Sequence, residues 1–242
     1  MNSLASTNRT KILQRFACYA VVALALKILI FIIIEYRFYF PADFDAAFLV
    51  GREKIFHGVY RSSFYLHLVT GPICILLAVL LVITGPRRRA SQRGVFRPAH
   101  RIAGRVLAVL VLCCLLPTGL VMAQHALAGP IAALGFTMLS LATAATMCLT
   151  IATAIQHNIS AHRRWATRCF ILLMSPLFLR FVSGALQVTN LESDLTYRLN
   201  AWLSWLVPLI AYECWRLLSA IRMPRRNTLS KRSPSPLQEL AR

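Results

Sequence analysis

Charge is scarce in this sequence, and negative charge is scarcer still. Charged residues make up 14% of its 242 positions, against about 25% in an ordinary soluble domain. Only 8 Asp and Glu stand against 27 Lys and Arg, a net charge of +19. The signatures of the common hydrolases and metal enzymes are missing too. There is no HExxH, no CxxC, no nucleophile elbow in a Ser-His-Asp order and no glycine loop that would cradle a phosphate. The 7 cysteines, at 18, 74, 113, 114, 148, 169 and 214, all lie in or beside hydrophobic blocks. They read as small apolar packing residues, since none stands in a connection where oxidation would pair it.

What fills the chain is hydrophobic residue, 57% of it. It comes in blocks at residues 16–36, 64–84, 102–123, 131–154, 169–189 and 199–219. Each is about 20 residues long, the length that crosses a bilayer as helix. The pattern predicts an all-α protein, a six-helix transmembrane bundle over residues 16–220. It is flanked by a polar segment at 1–15 and a basic, disordered tail at 221–242, with no room for a separate soluble domain. Arg9, Lys11 and Arg15 before the first block imitate a secretory signal. The block is longer than a signal core and lacks a small-residue cleavage site, so it reads as a retained helix.

The basic residues are sorted by connection. Arg87, Arg88, Arg89, Arg93, Arg97, Arg101 and Arg105 stand between blocks two and three, and Arg163, Arg164 and Arg168 between four and five. Arg216, Arg222, Arg225, Arg226, Lys231, Arg232 and Arg242 accompany or follow the end of block six. The alternate connections differ: 124–130 has no charge, and 190–198 sets Glu192 and Asp194 against Arg198. Residues 37–63 are nearly balanced. This is the positive-inside pattern, and it puts both termini in the cytoplasm. Topology and attraction to anionic lipid heads account for the basic excess without nucleic acid.

Polar residues inside the blocks are the functional candidates, because each is costly in lipid. Lys27 lies near the middle of block one and is expected to face the bundle and pair there. Residues 41–60 form the longest outer connection. Phe44, Phe48, Gly51 and Ile55 recur there at helical spacing, as in a short helix resting on the interface. His67 opens block two, about one turn inside the outer boundary, with Gly71-Pro72 soon after. His100-Arg101 opens block three, where Pro98 suits a first helical turn, and His162-Arg163 precedes block five. On a helix Arg101 and Arg105 share a face, as do Arg164 and Arg168. His100 and His125 are separated by about 37 Å of helix and so serve opposite faces. In block four, Ala142, Thr146, Thr150 and Ala154 form a smooth stripe that places this helix inside the bundle. Arg180, about 18 Å of helix beyond Arg168, should face the interior, with Gln187, Gln124, His67 or backbone carbonyls as partners.

Residues 64–180 resemble an uncharacterised family of predicted multi-pass bacterial membrane proteins. The resemblance rests on His67 with Gly71-Pro72, on His100-Arg101-x-x-Gly104-Arg105, on His162-Arg163-x-Trp165-x-x-Arg168, and on Arg180. Ala166 departs from the methionine frequent at that position. The resemblance implies a bacterial cytoplasmic membrane and no particular activity.

The chain is also loosely similar to transmembrane cytochromes that hold two b-type haems among six helices. That similarity implies axial histidines: His100 and His162 for an inner haem, His67 and His125 for an outer one, with His157 misplaced for the latter. Arg101, Arg105, Arg168 and Arg180 are then partners for propionates or other anions. On this reading the protein is a haem b electron carrier with a redox partner. The alternative is a non-enzymatic membrane protein, a carrier or partner subunit, that binds lipid headgroups or a small anionic solute.

Overall fold

The computed structural model describes residues 23, 26–46, 48–85 and 93–222. The expectations for residues 1–15, for the tail beyond 222 and for Arg87, Arg88 and Arg89 lie outside the described residues. Regular structure is helical: α1 (residues 26–35), α2 (Gly58–Ile83), α3 (Arg93–Val109), α4 (Leu116–Gln124), α5 (Pro130–Ile155), α6 (Ile159–Leu173), α7 (Ser175–Val188) and α8 (Asp194–Arg222). Among the described residues there is no strand, and the all-α expectation holds.

Among the described residues four spans are long and apolar enough to cross a membrane: Gly58–Ile83, Pro98–Gln124, Pro130–Ile155 and Ile159–Val188. With α8 the count differs from the sequence pattern. At 29 residues α8 is long enough, but Asp194, Arg198, Glu213, Arg216 and Arg222 dilute its hydrophobicity.

Two of the expected spans depart from regular α-helix, each beside a proline. Between α3 and α4 the backbone winds as π-helix over Leu110–Leu115, just before Pro117. A proline offers no N–H and its ring collides with the carbonyl four residues back, so a wider turn relieves the conflict. Between α6 and α7 the helix breaks at Met174, two residues before Pro176. Pro130 instead opens α5, after Gly129 at φ 86°, and the Asn158 side chain caps α6 by accepting from the Ala161 N–H. The second span starts at Gly58 rather than near residue 64, and α3 begins at Arg93, leaving Pro98 inside it.

Among the described residues of 41–57 no α-helix forms, in contrast to the expected surface helix. Gly51, at φ 73°, interrupts any helical run, and 3-10 turns form at Tyr36–Phe38 and Glu53–Ile55. The aromatic residues gather instead of spreading over lipid. Tyr39, Phe48 and Phe56 all close on Phe64 of α2, with ring centroids 5.5, 5.4 and 5.3 Å away. Aromatic edge-to-face and offset contacts reward such clustering.

As its small-residue stripe implies, α5 is central and packs against α4, α6 and α8. Its buried threonines are satisfied within their own helix, Thr143 donating to the Leu139 carbonyl, Thr146 to Ala142 and Thr153 to Leu149. Gly135 lets α8 come close: a Cβ there would meet Trp202 and the Ala201 carbonyl at about 3 Å. The mid-bundle core joins Cys74, Ala78, Leu107, Val111, Met147, Cys169 and Leu173. Cys74 and Cys169 are thus packing residues, as the sequence suggested. Asn200 stitches α8 to α7 by donating to the Leu179 carbonyl and to Ser183, both at 3.0 Å.

Candidate functional site

The four candidate histidines share one hydrogen-bond arrangement. His162 places Nδ1 3.0 Å from the carbonyl oxygen of Thr150 on α5. A carbonyl can only accept, so Nδ1 carries the proton and Nε2 is left as a bare lone pair. His125 does the same with the Val121 carbonyl, also at 3.0 Å.

His67 and His100 reach the same state through threonine. Thr118 Oγ1 already donates to the Cys114 carbonyl at 2.6 Å, so towards His67 Nδ1, 3.1 Å away, it can only accept. Thr84 Oγ1 donates to the Leu80 carbonyl at 2.7 Å and therefore accepts from His100 Nδ1 at 3.4 Å. In every case Nε2 is free to accept a proton or bind a metal. Fixing Nδ1 in this way is how proteins orient an imidazole ligand.

The histidines do not all meet. His100, about two turns into α3, and His162, in the first turn of α6, come within Coulombic reach of one another at the arginine-rich end. His67 lies about two and a half turns into α2, deeper than expected from sequence, against Thr118 and Gly119 of α4. His125 is about six residues further along, or ~9 Å of helix, where its ring meets Tyr60 edge-on at 4.9 Å. His67 and His125 therefore sit at different levels.

The arginines divide as well. Arg101 and Arg105 are exposed and, with Pro98 and Ile102, line a cavity of about 380 Å³. Among the described residues no carboxylate pairs with either. Arg168 is engaged: its Nε and Nη2 grip both oxygens of Glu213 on α8, at 2.6 and 3.1 Å. Its guanidinium also lies 4.4 Å over the Trp165 ring.

Arg180 donates to Glu35 at the end of α1, at 2.8 Å, and its charge reaches the Tyr39 hydroxyl. Burial pushes that hydroxyl's pKa up, more than Arg180 pulls it down. Arg180 does find a polar partner, but it is this carboxylate rather than Gln187, Gln124 or His67. Lys27, expected to pair within the bundle, is on an exposed face of α1.

Sequence reasoning missed Glu35 and Glu213. The available signal was that each is an acid within or beside a hydrophobic block, where acids are expensive. It also missed Arg52, which is only 3% exposed. Arg52 stacks 4.2 Å over Phe48, donates to the Phe48 carbonyl and lies within electrostatic reach of the hydroxyls of Tyr60 and Tyr197. No periodicity announces this residue, because it lies in an irregular connection.

Several long apolar helices define a multi-pass membrane protein. A family model described as a predicted membrane protein (DUF2306) matches residues 47–216. The chain belongs to that family, in agreement with the resemblance carried by the His-Arg motifs. No curated protein and no solved structure matches it.

Proposed function

We propose that this is a six-span protein of the bacterial cytoplasmic membrane with both termini inside, α1 and α8 completing the four most apolar spans. We further propose that His100 and His162 hold one b-type haem near the inner face, making the protein an electron carrier to a redox partner. The observation that carries this reading is the pair of bare Nε2 lone pairs on α3 and α6, within Coulombic reach of one another at one end of the bundle. Neutral imidazoles so oriented are the usual axial ligands of a low-spin haem. The donor set fits the group, and the haem would supply one-electron transfer.

Arg101 and Arg105, which have no carboxylate partner among the described residues, are the propionate partners on this reading. Arg168 and Arg180 serve instead to hold helices together through Glu213 and Glu35. His67 and His125, at different levels, are assigned no shared iron.

The test is a reduced-minus-oxidised spectrum of the purified protein, repeated for His100→Ala and His162→Ala. A b-type spectrum lost in either variant supports the proposal. A colourless protein from cells supplied with haem precursor overturns it, and a spectrum surviving both substitutions would move the site to His67 or His125.

The cavity between Arg101 and Arg105 favours one other reading, a binding site for a lipid headgroup or a small anionic solute. It becomes the better account if the protein is colourless and anionic lipid co-purifies with the wild type but not with Arg101→Gln/Arg105→Gln.

A further inference from the structure

The cavity of about 380 Å³ beside Pro98, Arg101, Ile102 and Arg105 has two kinds of wall. One is cationic. Arg101 and Arg105 are exposed and stand one turn apart on α3, so their guanidinium groups can close on a single anion. Every Asp and Glu of the chain except Glu239 is among the described residues. None of these pairs with either arginine, so the described fold does not neutralise the charge that lines the cavity.

The other wall is apolar. Ile102 is 61% exposed, and Val106 and Val109 continue from it, 44% and 58% exposed. At 3.6 residues per turn these three lie within about 60° of one another around α3, and Arg105 lies about 60° from Ile102. The opposite side of the same helix faces the core, where Leu107 and Val111 join the mid-bundle cluster. The outward side of α3 is therefore cationic at the cavity and apolar for about 10 Å beyond it. That is the order in which a helix leaving the membrane surface meets lipid headgroups and then hydrocarbon.

We propose that this cavity seats one anionic phospholipid, with its phosphodiester held by Arg101 and Arg105 and an acyl chain laid along Ile102, Val106 and Val109. The inference rests on the anion-binding reading above and names its occupant. A phosphodiester is ionised throughout the neutral range and offers two anionic oxygens, one for each guanidinium. A small anion would meet the arginines but gain nothing from the apolar stripe. A zwitterionic lipid carries its own ammonium group, which competes with the arginines for its phosphate.

The test titrates the full-length protein in detergent with phosphatidylglycerol, phosphatidylcholine and glycerol 3-phosphate, and counts bound molecules by native mass spectrometry. Phosphatidylglycerol should bind at least about tenfold more tightly than phosphatidylcholine, the ratio expected when a charge-assisted hydrogen bond is gained. Glycerol 3-phosphate, a headgroup without chains, should bind more weakly than either lipid. Arg101→Gln/Arg105→Gln should abolish the preference and leave phosphatidylcholine unchanged, and Arg101→Lys/Arg105→Lys should fall between it and the wild type. Arg163→Gln/Arg164→Gln removes the same charge from α6 and should keep the preference, and unliganded melting temperatures check that each variant is folded. An equal loss in the α6 variant would reduce the effect to the general attraction of a basic face and overturn the proposal. Glycerol 3-phosphate binding as tightly as phosphatidylglycerol would overturn it while the anion-binding reading stands; no binding of either at these arginines would overturn both. A b-type spectrum lost in Arg101→Gln/Arg105→Gln would give the arginines to haem propionates and likewise overturn it.

Discussion

Arg168 of α6 and Glu213 of α8 form a two-pronged ion pair, at 2.6 and 3.1 Å, with the guanidinium only 14% exposed. It joins the second His-Arg motif to the last helix. Glu213 also takes a bond from Arg216 at 3.1 Å, so one carboxylate serves two arginines. Glu213→Ala should destabilise the protein by on the order of 2 kcal/mol, since it strands a largely buried cation. Arg168→Ala should then cost much less in that background than in the wild type. Detergent-solubilised unfolding of both single variants and the double variant measures the coupling, and strictly additive losses would show that the pair is not coupled.

The pair between Glu35 and Arg180 ties α1 to α7 across 145 positions of chain. Glu35→Ala should lower the melting temperature and loosen α1. Exchanging the two charges, Glu35→Arg with Arg180→Glu, should recover part of the loss. A swap no better than the worse single variant would show that the ion pair is not what ties α1 to α7.

Close approach of helices makes a third expectation. At Gly135 a methyl group would lie 3.0 Å from Trp202 Nε1 and 3.1 Å from the Ala201 carbonyl. Backbone cannot give way easily, so Gly135→Ala should cost roughly 1–3 kcal/mol. Gly184, in α7, has nothing within 4 Å of its own Cβ position. Gly184→Ala is therefore the control and should be neutral or slightly stabilising. Thermal unfolding of the two variants side by side separates packing from helix propensity.

Orientation is tested by reporter fusions. With arginine-rich connections inside, fusions after Gly129 and Ser193 should report outside, and fusions after Ser91, Ser160 and Leu229 inside. One fusion of opposite sign would show that a span has been miscounted.

Much of the architecture follows from the order of residues alone. Hydrophobic blocks of bilayer length force helix, because in lipid every backbone group must be satisfied within its own segment. The small-residue stripe from Ala142 to Ala154 placed α5 at the centre for a similarly local reason. The spacing of His100 to Arg105 and of His162 to Arg168 was enough to indicate the family.

Tertiary structure decided the rest, wherever the partner is remote in sequence or the backbone departs from regularity. Pro117 and Pro176 were visible, but whether each would kink, widen or break its helix depended on the helices packed around it. The tautomers of the four histidines depended on which carbonyl or threonine each ring met, some from other helices. Arg180 needed a counter-charge, a requirement readable from its depth. That Glu35 supplies it, and that Glu213 rather than an anionic ligand meets Arg168, was set by which helices lie side by side. Hydrophobic pattern specifies that a face is buried; it does not specify against whom.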